Sequence, residues 1–256
     1  MKILCSDYDG TLTHGGVDEK KLAAISAWRA KGNKFGIISG RRTSFYRELR
    51  EAYPTLELDF MASCNGAVIL DGKGALLEKV HCTAVSAQKA VRDLLSLGST
   101  CVFINGIDED HNDYLCVAAK EEDLPEWVSS EHTALIDRMP AVKSFHQLTA
   151  VVETADEAIP LEAQIRKKYK AFLNPLRNGR CIDIVPFGVD KAEGIRRIMK
   201  HFGAAFEDMI AVGDNVNDTD MLREFRSYAM ESGVDSIRAF VNGTVSDITE
   251  IFELEA

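Results

Sequence analysis

Near the start of the chain, Lys2-Ile3-Leu4-Cys5-Ser6-Asp7-Tyr8-Asp9-Gly10-Thr11-Leu12 runs apolar and then stops at two carboxylates two residues apart. A short apolar run that ends in a polar cluster with glycine reads as a buried strand followed by a tight turn. Carboxylates held this close repel, so the pair favours a cation between them or a shared proton. A hard cation such as Mg²⁺ suits such oxygen ligands, while an ordinary Asx-turn is the structural alternative. A calcium loop is excluded. With Asp7 and Asp9 as its first and third ligands, Thr11 would stand where Asp or Asn belongs and Leu12 where Gly belongs.

Outward from this stretch, strands and helices alternate. Residues 18–31 read as a helix capped by Asp18, with Leu22, Ile25 and Trp28 on one face and Gly32 ending it. Residues 34–38 form a strand that halts at Ser39-Gly40. Phe45 and Leu49 mark a helix that breaks before Pro54, and 58–62 and 67–70 read as strands. This rhythm implies a parallel sheet with helices on both faces. It changes near residue 80. A helix over 84–97 precedes paired strands at 100–104 and 115–119 around a polar loop, 105–113, and residues 120–147 take no clear assignment. A strand at 150–153 and a helix at 157–170 lead to a hairpin, 171–173 with 181–185, signalled by Asn178-Gly179 between apolar runs. The α/β pattern then resumes. A helix opens at Asp190 and Glu193 in a capping-box-like pair and ends at Gly203. A strand covers 209–212, a helix opens at Asp218, and 228–230 reads as the last strand. The expected fold class is therefore α/β. A Rossmann-like parallel-sheet core, residues 1–80 and 186–256, is interrupted by an α+β insert, residues 81–185.

The 256 residues are 46% hydrophobic and 27% charged, ordinary for a globular chain. No apolar run approaches the roughly 20 residues of a membrane span, and the first apolar run is too short for a signal peptide, which predicts a cytoplasmic protein. The net charge of −10 and the lack of a basic block argue against nucleic acid as a partner. The six cysteines form no C-x-x-C pair and read as buried, reduced thiols.

Three more polar clusters follow expected core strands or open the next helix, the edge where open parallel sheets bind ligands. In Ser39-Gly40-Arg41 a hydroxyl and backbone N–H groups can grip a phosphate oxygen, or simply cap a turn. Lys191 opens a helix against the dipole. It reads as a solvated lysine or as a partner of the helix N-terminus in holding one anion. Val212-Gly213-Asp214-Asn215-Val216-Asn217-Asp218 crowds carboxylates and amides after a buried strand.

In this order, Asp-x-Asp-Gly-Thr-Leu, Ser-Gly-Arg, a helix-opening Lys and Gly-Asp-x-x-Asn-Asp resemble the haloacid dehalogenase-like (HAD) phosphatases over the whole chain. The insert is similar to the large α+β cap of the Cof-type branch, subclass IIB with a C2B cap, and Asn65-Gly66-Ala67 is similar to that branch too. The resemblance implies that Asp7 is the nucleophile and Asp9 the general acid and then base. It implies Mg²⁺ held by Asp7, Asp214, the backbone carbonyl of Asp9 and a phosphate oxygen, with Asp218 either a ligand or the orienter of Lys191. Ser39 and Lys191 would hold other phosphate oxygens, Asn217 would sit beside them, and Thr11, Gly40 and Asn65 complete the expected substrate-facing set. The implied partner is a small phosphomonoester, a sugar phosphate in the first instance, with no obligate protein partner.

Departures from the family pattern are Ala192 after the motif lysine, Asp190 before it, and Met230-Glu231-Ser232-Gly233 in place of Met-Gly-Asn-Ala. Alternatives to hydrolysis are a phosphomutase and a non-catalytic sensor, and retention of both Asp7 and Asp9 argues against the sensor. For specificity, Asp183 is expected on the face opposite Ile182 and Ile184, near Arg177 and Arg180 at the hairpin, where it would accept hydrogen bonds from substrate hydroxyls.

Overall fold

The computed structural model describes residues 1–106 and 114–256, so most of the polar loop expected at 105–113 lies outside the described residues. Strand β1 (Ile3–Ser6) passes through a turn at Tyr8–Leu12 to α1 (Glu19–Ala30), β2 (Lys34–Ile38), α2 (Phe45–Ala52), β3 (Phe60–Ser63), β4 (Val68–Asp71) and β5 (Leu76–Lys79). Next come α3 (Ala87–Ser96), β6 (Cys101–Asn105), β7 (Tyr114–Ala118), β8 (Thr133–Leu135), β9 (Gln147–Val151), α4 (Ala155–Tyr169), β10 (Leu173–Asn178) and β11 (Cys181–Pro186). The chain continues with α5 (Lys191–Phe202), β12 (Met209–Gly213), α6 (Thr219–Glu224), β13 (Arg226–Met230), β14 (Gly243–Val245) and α7 (Thr249–Leu254). These elements form two compact units, Met1–Glu78 with Asp190–Ala256, and Lys79–Val189.

The first unit holds an eight-stranded sheet in the order β14-β13-β12-β1-β2-β3-β4-β5. From β14 to β3 all neighbours are parallel. Ile3, Leu4 and Cys5 of β1 are all fully buried, as a central parallel strand covered on both faces requires. On one face Leu4, Phe35, Ile37 and Val212 pack against Ile25 and Trp28 of α1, Leu49 of α2 and Ile251 of α7. On the other, Ile3, Cys5, Ile38 and Ala211 pack against Ile195 and Ile198 of α5 and Leu222 of α6. Each such Leu or Ile side chain contributes about 1.5–3 kcal/mol when fully buried. Local signals set the helix ends. The Asp18 carboxylate accepts from Lys21 N–H, the Asp190 carboxylate accepts from Glu193 N–H, and Gly203 closes α5 at φ +61°.

Strand β5 lies outside the expected elements, and three further features differ from them. Strand 228–230 is not the last, since β14 and α7 follow it and extend the sheet. β4 runs antiparallel to β3, because the Cys64–Gly66 turn between them is too short for a crossover. Residues 120–147 contain β8, which pairs parallel with β7.

The second unit is a six-stranded sheet, β10-β11-β9-β6-β7-β8, otherwise antiparallel. Its main core lies on one face, where Ile182, Ile184, Leu148, Val102 and Ile104 meet Val91 and Leu94 of α3 and Leu161 and Ile165 of α4, and Cys101, Cys116, Ala118 and Val128 form a smaller cluster on the other. Asn178 pairs with Cys181, so Gly179, at φ +56°, takes the first central position of a two-residue hairpin loop. Among the described residues, no helix is long and apolar enough to cross a membrane.

Candidate active site

β12, β1, β2 and β3 are adjacent and parallel, so the residues after their last positions emerge side by side at one sheet edge. Those residues are Asp214, Asp7, Ser39 and the Cys64–Gly66 turn. β1 has β12 on one side and β2 on the other, the switch point at which such sheets bind ligands. Backbone bonds carry the order past the strand ends. Asp7 N–H donates to Val212 O, Ser39 N–H to Ala62 O and Asn65 N–H to Ser39 O, each at 2.9 Å.

Lys191 sits in the middle of this edge. Its side chain is fully buried, and its ammonium donates to Asp7 Oδ1 at 2.6 Å and to Asp218 Oδ1 at 2.5 Å. The solvated alternative for this lysine is thereby corrected: it lies inside the site. The second oxygen of Asp218 accepts from the backbone N–H groups of Asp214 and Asn215 at 2.9 and 3.0 Å. Thr11 donates its hydroxyl to Asp214 Oδ1 at 2.8 Å.

One oxygen each of Asp7, Asp214 and Asp218 lie within 4.8 Å of one another. Three carboxylates against one ammonium leave a formal charge of −2 in a buried site. The electrostatics follow. Burial pushes the Asp7 carboxyl well up, with Asp218 and Asp214 adding to the rise and Lys191 opposing it. Burial and Asp218 raise Asp214. Burial disfavours the Lys191 cation, yet Asp218 and Asp7 outweigh it and hold the ammonium charged. An acidic cluster of this kind fits a hard divalent cation. The backbone leaves room for its ligands, because Gly10 sits at φ +76° and a Cβ there would lie 2.4 Å from Asp214 Oδ2.

The remaining expected residues of this unit fall in four places. Asp9 turns both carboxylate oxygens toward Arg41, at 2.7 Å each. Ser39 is buried at the end of β2, its hydroxyl accepting from Arg41 N–H at 3.2 Å, with Gly40 between them. Asn217 lies in the short turn Val216–Asp218. Asn65 is fully buried, and its N–H holds the turn to Ser39. Cys64 and Asn65 take φ of +51° and +52°, Cys64 N–H donates to Arg41 O, and Gly66 packs backbone to backbone on Gly194 of α5. The turn thus ties the Ser39 loop to the helix that carries Lys191. The departures cause no disorder here. Ala192 is buried in the core, and Val234 N–H donates to Asp214 O at 2.9 Å, with Gly233 packed on the Asp214 backbone.

In the second unit, Asp183 lies on the sheet face opposite Ile182 and Ile184. It is 5% exposed and accepts from Thr149 Oγ1 at 2.8 Å and Gln147 Nε2 at 3.2 Å. Arg177 pairs with Glu162 at 3.3 Å, while Arg180 is exposed at the hairpin. The bidentate contact of Arg41 with Asp9 escaped the sequence reading. Arg41 was visible as the third residue of Ser-Gly-Arg, but nothing local says where a guanidinium points.

Fold and site together define an α/β enzyme whose carboxylates and buried lysine converge at a sheet switch point. The model of the haloacid dehalogenase-like hydrolases matches residues 4–250, and the chain belongs to that family. A 5-amino-6-(5-phospho-D-ribitylamino)uracil phosphatase of Escherichia coli is 25% identical, over 93% of this chain and 88% of its own. An HMP-PP phosphatase of Citrobacter koseri is 23% identical, over 86% of this chain and 80% of its own. Among solved structures, a HAD subclass IIB sugar phosphatase superposes with a TM-score of 0.75 at 22% identity, covering 100% of this chain and 99% of its own, and that likeness shows the fold. The protein is a phosphatase of the HAD family.

Proposed function

We propose that the protein is a Mg²⁺-dependent phosphomonoester hydrolase of small metabolites, sugar phosphates first among them, working through an aspartyl-phosphate on Asp7. The observation that carries this is the buried Lys191 ammonium 2.6 Å from Asp7 Oδ1. A lysine so placed fixes one oxygen of the nucleophile, leaves the other to attack phosphorus, and offers charge to an incoming phosphate oxygen. Mg²⁺ held by Asp7, Asp214 and the Asp9 carbonyl would screen the carboxylates from the phosphate dianion. Asp218 belongs to Lys191 and the 214–215 loop, since its two oxygens already serve the ammonium and two N–H groups.

In the first step the Asp7 oxygen bonds to phosphorus, the bond to the leaving oxygen breaks, and Asp9 gives that oxygen its proton. Asp9 then takes a proton from the water that attacks the acyl phosphate, releasing inorganic phosphate and restoring Asp7. Thr11 holds Asp214, and Ser39, Gly40 and Asn217 line the phosphate side, with Asn65 shaping the turn behind them. The core, residues 1–80 and 186–256, supplies this chemistry, and the insert, 81–185, supplies specificity as a cap, with Asp183 reading substrate hydroxyls.

A panel of phosphorylated metabolites assayed for released phosphate tests the reading. Asp7→Asn should lower kcat by several orders of magnitude on every substrate with an unchanged circular dichroism spectrum. Asp183→Ala should lower kcat/KM about tenfold or more on the preferred metabolite alone. Near-normal turnover by Asp7→Asn would sink the mechanism, and an isomerised sugar phosphate as product would make the protein a mutase.

A further inference from the structure

The Arg41 guanidinium makes two parallel bonds to Asp9, Nε to Oδ2 and Nη2 to Oδ1, both 2.7 Å long. Its own position is fixed from behind. It lies 4.4 Å from the ring centre of Phe45 and 5.2 Å from that of Tyr8, and those two buried rings meet edge to face at 4.8 Å. Its backbone is fixed as well, since Arg41 N–H donates to Ser39 Oγ and Arg41 O accepts from Cys64 N–H. A planar guanidinium seated on aromatic faces and facing a carboxylate is a geometry lysine cannot reproduce.

The side chains of Asp9 and Arg41 are 54% and 42% exposed. An ion pair this open contributes little to stability. Its effect is on direction. Among the described residues, Arg41 is the one side chain bonded to the Asp9 carboxylate. Without it, a carboxylate more than half exposed would turn freely among its rotamers, whereas proton transfer needs it within hydrogen-bond reach of the leaving oxygen.

We infer that Arg41 is a positioning residue for Asp9 and sets how well the enzyme expels poor leaving groups. The inference rests on the role proposed above for Asp9 as general acid. To carry the proton Asp9 gives up one of its two bonds to Arg41 while the other keeps the carboxyl aimed, and transfer of that proton to the leaving oxygen restores the carboxylate that both bonds hold. The phosphorus bond to that oxygen breaks in the same step, and the proton returns from water in the second. An alkoxide leaving group needs that proton in the transition state; a nitrophenolate, a stable anion, needs it far less. Arg41 should therefore matter in the first step, read by kcat/KM, for alkyl phosphates and hardly at all for nitrophenyl phosphate, whereas the second step, in which Asp9 is the base, is common to both.

The test measures kcat and KM of the Mg²⁺-loaded full chain on an alkyl phosphate and on p-nitrophenyl phosphate. The variants are Arg41→Met, Arg41→Lys, Asp9→Asn and the Asp9→Asn/Arg41→Met double. Arg41→Met should lower kcat/KM on the alkyl ester about tenfold to a hundredfold, within the range general acid catalysis supplies, and leave kcat/KM on the nitrophenyl ester nearly unchanged, while kcat on both esters carries any loss in the shared hydrolysis step. Arg41→Lys should recover part of the loss through one bond. The double variant should be no slower than Asp9→Asn, because Arg41 acts through Asp9. Equal losses of kcat/KM on both esters, or a further loss in the double variant, would overturn the role of Arg41 while leaving Asp9 as the acid. If Asp9→Asn itself shows no preference for the alkyl ester, the acid assignment fails and this inference with it.

Discussion

Lys191 has no water to fall back on, which makes Asp218→Asn a demanding substitution. The two oxygens of Asp218 serve different partners, Oδ1 the ammonium and Oδ2 two backbone N–H groups. An asparagine that keeps its oxygen on the N–H groups turns its NH₂ toward the ammonium, donor against donor. Removing one partner of a buried ion pair costs about 3–5 kcal/mol. Asp7 remains as a second counter-charge, so the lower end applies, about 3 kcal/mol. In a domain of this size each kcal/mol moves Tm by about 2–4 °C, so Tm should fall by about 6–12 °C. Lys191→Met should cost a similar amount by leaving the carboxylates without their cation. The double variant should then be milder than the sum of the two by at least about 1 kcal/mol, since each single change leaves the other group stranded. Urea unfolding in EDTA, followed by the fluorescence of Trp28, measures this, because Trp28 is buried in the first unit. Strict additivity, or an Asp218→Asn protein within about 0.5 kcal/mol of wild type, would refute the buried triad as a coupled unit.

The charge of −2 at the site predicts that exhaustive chelation abolishes phosphatase activity. Mg²⁺ should restore it and raise the Tm of the apoprotein, with Ca²⁺ a poor substitute; full activity after chelation would count against a metal. Asp93 in the second unit bears on acid stability. Burial pushes its carboxyl up, but hydrogen bonds from Lys89, Tyr169 and Lys168 outweigh that and hold it at about 2. A carboxyl lower in the folded than in the unfolded chain stabilises above the unfolded value of about 4, and the contribution disappears as pH falls toward 2. Asp93→Asn should thus lose about 1–2 kcal/mol at pH 7 and only a small part of that at pH 2, where the folded carboxyl is half protonated, and an equal loss at both would disprove the linkage.

The parallel core was legible because its strands are continuous apolar runs that stop at polar clusters. Asp7, Ser39 and Asp214 follow β1, β2 and β12 as the pattern implied. Strand direction was less legible, since nothing in Val68–Asp71 itself says antiparallel, and only the shortness of the turn before it does. The Cys64–Gly66 turn was opaque for a related reason. Cys64 and Asn65 take positive φ where Gly66 packs on Gly194 of α5, a conformation that nothing in the local sequence announces. For Lys191 the local context pointed two ways. Its partners Asp7 and Asp218 lie far off along the chain, and a helix-opening lysine is judged by its neighbours until the fold supplies distant ones. Arg41 and Asp9 met the same limit, and so did Asp183, whose face followed from alternation but whose bonds to Thr149 and Gln147 did not.

The division of the first unit between Met1–Glu78 and Asp190–Ala256 bears on how the chain is made. Asp7 N–H pairs with Val212 O across 205 positions, the difference of their numbers. At the ribosome, where about 5–20 residues are added each second, roughly 10–40 s separate the appearance of β1 from that of the strand that covers its other edge. Through that interval β1 has β2 on one side and an open row of donors and acceptors on the other, the kind of edge that pairs with strangers. The second unit, being one unbroken stretch from Lys79 to Val189, can close on itself during the wait. The order of synthesis therefore finishes the second unit first and leaves one edge of β1 exposed until nearly the last.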